Sequence, residues 1–183
     1  MICIIPARRN SKGLKNKNIK KLNGIPLIAH TINVAKKSKQ IKKIYLSTDD
    51  ERIIRLFKND RLVNIPYVRP KNLSGDHTDS VDVYLHMINF IEKDFKFNEF
   101  CVLLPTCPIR DVSQIDDAIK IFKKNKVNFL ISVVETKPLE FQFRINENSF
   151  IKKTSNIKFK VSNKKKLHKK FIPNWSIYIF NKK

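Results

Sequence analysis

The side chains best equipped for chemistry stand together near the start of the chain, in Pro6-Ala7-Arg8-Arg9-Asn10-Ser11-Lys12-Gly13-Leu14-Lys15-Asn16-Lys17-Asn18. Two guanidiniums, three ammoniums, a hydroxyl and bare backbone N–H groups can converge there on one polyanion, and the chemistry they suggest is phosphate binding. Gly13 admits either a positive φ or close approach of the backbone to a ligand, and the chain has only three glycines. Neither the Walker pattern nor the dinucleotide pattern can be built from Gly13, Gly24 and Gly75, so the anion loop is of another kind. In so lysine-rich a chain, a solvated basic turn is the competing reading.

The elements that must position this loop follow from the apolar spacing. Ile2-Cys3-Ile4-Ile5 is β-branched and without polar alternation, the pattern of a strand buried on both faces of a parallel sheet, and Pro6 ends it. A helix is predicted over 26–37 after a proline start, a strand over 43–47, and a helix to about Phe57 capped by Asp49 or Asp50. Further along come a short strand over 65–68, a helix from Asp79 to about Ile91 and a strand over 100–104. A helix over 113–124 follows with a Ser113/Asp116 capping arrangement, then a strand over 129–134. Strand and helix alternate throughout, which argues for a parallel α/β sheet that binds ligands at the carboxyl ends of its strands.

The chain of 183 residues is long enough for one full core. No apolar run approaches the roughly 18 residues of a membrane span, and the opening segment is unlike a secretory signal; the expectation is a soluble protein of the cytoplasm. Cys3, Cys101 and Cys107 are odd in number and lack Cys-x-x-Cys spacing, which reads as reduced thiols. The balance of 38 basic against 16 acidic residues, a net charge of +22, would suit nucleic acid. The lysines are spread over helix faces, however, and accompany abundant asparagine and isoleucine, so no specific nucleic-acid partner is expected. His30, His77 and His86 read as surface or core-edge histidines. After Glu135 the strand-helix rhythm breaks: residues 136–172 are polar and lysine-rich with scattered Phe141, Phe143, Phe150 and Phe159, and no acidic residue follows Glu147. This stretch reads as an excursion from a single 1–183 domain, with a flexible basic loop over 164–170 as the alternative.

Pro6-Ala7-Arg8-Arg9-Asn10-Ser11-Lys12-Gly13, with Lys17-Asn18-Ile19 and Leu22-Asn23-Gly24-Ile25-Pro26-Leu27, resembles the amino-terminal signature of the acylneuraminate cytidylyltransferases, the CMP-sialic acid synthetase family. Leu46-Ser47-Thr48-Asp49-Asp50 resembles its second-strand motif, and Arg69-Pro70-x-x-Leu73 with Asp76 and Ser80 its base-pocket segment. Pro105-Thr106-Cys107-Pro108-Ile109-Arg110 and Pro173-Asn174-Trp175-Ser176-Ile177-Tyr178 match a later turn and strand. The resemblance implies a Rossmann-like nucleotidyltransferase fold, α/β with a mainly parallel sheet flanked by helices, and a homodimer formed through the excursion. It implies that the anomeric hydroxyl of a sialic-acid-like (nonulosonic) sugar acid attacks the α-phosphate of CTP and releases pyrophosphate, with Mg²⁺ as cofactor. On this resemblance Arg8, Ser11, Lys12, Gly13 and Lys17 hold the triphosphate, with Arg8 and Lys17 catalytic. Asn18, Arg69 and Ser80 contact the cytosine or its ribose, and Asn174 the sugar.

Three departures qualify the match. Leu104 stands where the family commonly has a glutamine, and Trp175 where it usually has a glycine. The family's Asp-Ile-Asp metal segment has no counterpart before Lys183, so the sequence reads as truncated at that end. Asp49, Asp76 and Asp79 are the nearby carboxylates in motif positions, and none has metal-ligand spacing. Two other readings stay open: a cytidylyltransferase for another keto-deoxy sugar acid, and a catalytically silent, basic binding homologue.

Overall fold

The computed structural model describes residues 1–137, 143–145, 147, 151–153 and 169–182. They fall into two compact units, one of Met1–Ser132 with Trp175–Lys183 and the other Val133–Asn174.

The first unit is built on a sheet whose strands are β1 (Ile2–Pro6), β4 (Lys43–Ser47), β5 (Val63–Asn64), β6 (Glu99–Leu103), β7 (from Phe129) and β10 (ending at Asn181), in the order β5-β4-β1-β6-β10-β7. β1, β4, β5 and β6 run parallel, and β10 is antiparallel to β6 with Ile177 opposite Leu103 and Phe180 opposite Phe100. A small ribbon of β2 (Lys21–Leu22) and β3 (Ile25–Pro26) leads into the first helix. Its two-residue turn places Asn23 at φ 49° and Gly24 at φ 77°, left-handed values that suit glycine and asparagine.

The uniform apolarity of β1 has the expected cause, since both faces of the sheet are covered. Cys3 and Ile5 pack with Ile28 and Ile32 of α1 (Leu27–Lys37), Ile53 and Phe57 of α2 (Glu51–Phe57), and Ile115, Ile119 and Phe122 of α4 (Val112–Asn125). Ile2 and Ile4 face the other way, onto Met87, Ile88 and Ile91 of α3 (Ser80–Ile91). Each such fully buried side chain contributes on the order of 1.5–3 kcal/mol by leaving water. The mainly parallel sheet with helices on both faces is the fold class expected from the sequence.

Three local expectations need correction. The strand placed at 65–68 is two residues at Val63–Asn64, and Val68 makes only an isolated bridge to Thr48, because Pro66 and Pro70 leave that segment too few N–H donors for a ladder. Helix α4 begins one residue early: its capping box pairs Asp111 with Gln114, whose Oε1 accepts from Asp111 N at 3.1 Å. Asp116 is thereby left for another task, accepting from the hydroxyl of Ser38 and the backbone N–H groups of Lys39 and Gln40. Helix α3, expected from Asp79, starts at Ser80, and Asp79 is its cap, accepting from Val81 N at 2.9 Å.

In the second unit, β8 (Phe143–Ile145) pairs antiparallel with β9 (Ile151–Lys153), and the Lys169 ammonium meets Glu135 at 2.9 Å. Val133, Val134, Phe171 and Ile172 are exposed. Phe141, Phe150, Phe159 and residues 164–168 of the anticipated basic loop lie outside the described residues.

Candidate active site

In the sheet order, β1 has β4 and β5 on one side and β6 on the other. The strand order therefore reverses between β1 and β6, and a crevice opens beyond the carboxyl ends of those two strands. Two adjoining cavities occupy that position. One, of about 240 Å³, is lined by Arg8, Ser11, Lys12, Gly13, Lys17 and Asn18 from the loop after β1 and by Leu104 to Thr106 from the turn after β6. The other, of about 250 Å³, is lined by Arg69, Ser80 and Tyr84 among others, and it shares Pro6, Arg8 and Leu104 with the first.

Hydroxyl groups at the end of β4 organise the floor. Ala7 N donates to Ser47 O at 2.8 Å, and Thr48 Oγ1 donates to Ala7 O at 2.6 Å while accepting from Asp50 N at 3.1 Å. Thr48 O accepts from Arg69 N at 2.8 Å. Three separate segments are thus tied at one buried point, and the arginine side chain continues the pattern. Its Nε donates to Ser47 Oγ at 3.0 Å and its Nη2 to Ser47 O. Arg69 is 5% exposed; burial lowers its pKa, and the Asp49 carboxylate acts against that shift. Tyr84 and Ser80 stand one helical turn apart on α3, and burial raises the Tyr84 phenol while a hydrogen bond with Ser80 opposes the shift.

The loop after β1 is anchored at both ends. Asn18 Nδ2 donates to Arg8 O at 3.0 Å, closing the loop on itself, and Arg9 N donates to Asp49 Oδ1 at 2.7 Å. At the far end Asn16, with φ 58°, accepts from Arg52 Nη2 at 3.0 Å, and Arg52 in turn grips Asp50 through Nε and Nη2. Between these anchors Lys12 and Gly13 are exposed. Gly13 does not need its conformational freedom in the free chain: its φ is not positive, and a Cβ there would meet nothing within 4 Å. That open space is where a ligand backing onto the loop would lie.

The structure thus brings Arg8, Ser11, Lys12, Gly13, Lys17 and Asn18 to one cavity and Arg8, Arg69 and Ser80 to its neighbour. Asn174 is exposed and belongs to the second compact unit. Sequence reasoning placed Asp76 in the base-pocket segment and weighed it only as a metal ligand, and it quoted Arg110 in the later turn without a role; in the structure Asp76 Oδ1 is 2.8 Å from Arg8 Nη1. Arg110 is 5% exposed and holds the turn after β6 through Leu104 O at 3.1 Å, Ser176 O at 2.7 Å and Ser176 Oγ at 2.9 Å. The signal for Arg110 was available, in an arginine closing a proline-bounded turn; the pairing of Asp76 with Arg8, 68 residues away, has no local signal. Among the described residues no group of three or more His, Cys, Asp or Glu stands ready to hold a metal ion.

A sequence model described as cytidylyltransferase matches residues 2–169. The chain belongs to the cytidylyltransferase family. Its relatives include a pseudaminic acid cytidylyltransferase of Campylobacter jejuni subsp. jejuni serotype O:23/36, 35% identical over 150 residues that make up 81% of this chain and 64% of that protein. An N-acylneuraminate cytidylyltransferase of Escherichia coli O18:K1:H7 is 32% identical over 187 residues, 100% of this chain and 42% of that protein. The chain therefore spans less than two thirds of the length of these relatives. Among solved structures, CMP:2-keto-3-deoxy-manno-octonic acid synthetase complexed with CTP superposes with a TM-score of 0.67 at 14% identity, over 98% of this chain and 73% of that one, which shows a shared nucleotidyltransferase fold. No helix among the described residues is long and apolar enough to cross a membrane.

Proposed function

We propose that this cytidylyltransferase chain transfers CMP from CTP to a nonulosonic sugar acid of the sialic, pseudaminic or legionaminic kind, releasing pyrophosphate. The observation that carries the reading is the pair of cavities meeting at Arg8, one faced by a cationic loop and the other by the buried guanidinium of Arg69. A triphosphate suits the first and a nucleobase with its ribose the second.

In the reaction the anomeric hydroxyl oxygen of the sugar acid forms a bond to the α-phosphorus and gives up its proton to water, and the bond from that phosphorus to the β-phosphate bridge oxygen breaks, with both electrons leaving on pyrophosphate. The part left to the protein is positioning and charge stabilisation. Arg8, Lys12 and Lys17 neutralise charge that gathers on the leaving phosphates, and Ser11 with the backbone at Gly13 supplies hydrogen-bond donors. Arg69 and Ser80 present fixed polar groups to the base, and a base that leaves buried polar groups unpaired is rejected. Asn18, already engaged with Arg8 O, acts by shaping the loop and offers its remaining donor and acceptor to the nucleotide.

The described residues do not by themselves form a site for Mg²⁺, since the only carboxylate lining either cavity, that of Asp76, already meets two cations. We place the ion on the phosphate oxygens of incoming CTP, which as hard ligands select it. Asn174 is assigned to the sugar. The exposed Val133, Val134, Phe171 and Ile172 are assigned to a homodimer contact, and the cytoplasm, where CTP is made, is the compartment. Leu104 lines both cavities and favours a second reading, a different keto-deoxy sugar acid, because an apolar wall there removes a polar contact to the acceptor.

Thermal stability measured with Mg²⁺ and CTP, UTP, ATP or GTP tests the nucleotide assignment. CTP at about a hundred times its dissociation constant stabilises by roughly 2.7 kcal/mol, and the other three shift the transition less. Equal shifts for all four nucleotides, or none, would reduce the loop to an indiscriminate phosphate binder and sink the transferase reading. Pyrophosphate release across a panel of nonulosonic and shorter keto-deoxy acids then separates the two acceptor classes.

A further inference from the structure

Asp76 puts a negative charge where a phosphate site can least use one. Its Oδ1 lies 2.8 Å from Arg8 Nη1 and its Oδ2 3.4 Å from Lys12 Nζ. Arg8 Nη1 also donates to Gly75 O at 2.8 Å, so one guanidinium nitrogen holds both the carboxylate and the backbone beside it. The two cations engaged by Asp76 are residues that the proposed function gives to the triphosphate.

A role in holding the local fold does not account for this contact. The turn that carries Asp76 is braced by other bonds, from Ser74 Oγ to Pro70 O at 3.0 Å and from Thr78 Oγ1 to Asn72 O at 3.2 Å, and Asp79 closes it by capping α3. The ion pairs are also open to water, with side-chain exposures of 29% for Arg8, 37% for Asp76 and 69% for Lys12. Pairs this exposed are weak, whereas a phosphate offers the same guanidinium and ammonium more charge and more acceptor oxygens.

We infer that Asp76 is an internal counter-anion: it holds Arg8 and Lys12 over the cleft in the free chain, gives them up to the phosphates of the nucleotide, and takes them back as pyrophosphate leaves. The inference rests on assigning this cleft to CTP. Asp76 is a positioning residue in this scheme, acting through the two cations. Because it competes with every phosphate ligand, it loosens the hold on the departing product.

The test is calorimetric titration of the full chain with inorganic pyrophosphate at fixed ionic strength, first without divalent ions and then with Mg²⁺, for the wild type, Asp76→Asn and Asp76→Glu. The asparagine keeps the shape and removes the competing charge, so pyrophosphate is expected to bind about threefold tighter, the effect of deleting an exposed ion pair. The glutamate restores affinity to near the wild-type value. A purely structural residue would move affinity the other way. Unchanged or weaker binding by Asp76→Asn overturns the proposal, as does a loss of affinity in that variant that appears only when Mg²⁺ is added, since Asp76 would then be a metal ligand. A wild type that fails to bind pyrophosphate at all overturns the reading of the cleft and this proposal with it.

Discussion

Arg8 and Arg69 line the same cavity, yet one belongs to the ligand side of the molecule and the other to its framework. Arg69 is 5% exposed, its Nε and Nη2 are fixed on Ser47 Oγ and O, and its own N–H holds Thr48 O. Arg8 keeps a partly exposed side chain whose partners are one backbone carbonyl and a carboxylate on a surface turn. The difference teaches that a cation aimed at a ligand can be paid for in two ways, by anchoring it in the fold or by leaving it hydrated beside a replaceable partner. The first gives a rigid wall and the second an adaptable grip.

The sharpest way to break this comparison is to remove each arginine and measure stability and binding together. Arg69→Ala removes one partner each from the buried carbonyl and hydroxyl of Ser47, leaves the carbonyl to Ala7 N and empties a buried place, which costs about 2–3 kcal/mol of folding stability, seen as a lower denaturant midpoint, together with loss of base selectivity. Arg8→Ala and Lys17→Ala are expected to leave stability within about 0.5 kcal/mol. Each is expected to weaken CTP binding by roughly tenfold or more, as the loss of one charge-assisted hydrogen bond predicts. If both loop variants bind CTP as the wild type does, the loop is not the phosphate site. If Arg69→Ala is as stable as the wild type, the division between framework and grip fails.

How much of this was legible in the sequence follows the same division. The strand ending at Pro6, the loop composition, a helix cap at Asp49 or Asp50 and the alternation of elements depend on near neighbours in the chain, and the sequence displays them directly. The place of Arg69 depends on Ser47, 22 residues away, and that of Arg110 on Ser176, 66 residues away; no local pattern encodes such partners. The capping of α4 was misread because Ser113 and Asp116 fit the pattern as well as Asp111 and Gln114 do, and only the long-range demand of Ser38 on Asp116 decides between them. The motif resemblance supplied Arg69 and Ser80 where local reasoning had no access to them.

Acid offers a second probe, because the far anchor of the loop depends on a carboxylate and the Arg69 wall does not. The Asp50 side chain is 3% exposed; burial alone would raise its pKa, but hydrogen bonds and charge from Arg52 outweigh burial and leave the group lowered. Its pKa in the unfolded chain is about 3.9. The stabilisation is therefore fully present above that value and is lost as pH falls through the lower folded value. Asp50→Asn is expected to cost about 1 kcal/mol at neutral pH, since its amide oxygen still caps α2 but no longer pairs with Arg52, and to flatten the decline in stability below about pH 4. An acid limb of unchanged steepness in Asp50→Asn, read from denaturant midpoints at a series of pH values, would assign the acid sensitivity to other carboxylates.

The smallest effect concerns the wall opposite the loop, where Arg110 reaches Ser176. The residue before that serine, Trp175, has φ 61°, a left-handed backbone that costs a non-glycine residue roughly 1–2 kcal/mol. The family usually places a glycine there, which meets the same geometry without strain. What Trp175 gains in return is modest: the residue is 58% exposed and its ring lies 6.3 Å from that of Tyr178, a contact worth about 0.5–1.5 kcal/mol. Trp175→Gly should therefore stabilise by about 0.5 kcal/mol, a rise of roughly 1–2 °C in Tm. A fall in Tm would mean that stacking on Tyr178 outweighs the strain. The wall on this side would then owe its rigidity to an aromatic contact at the surface as well as to a buried guanidinium, and the contrast drawn from Arg69 and Arg8 would describe only the other half of the cleft.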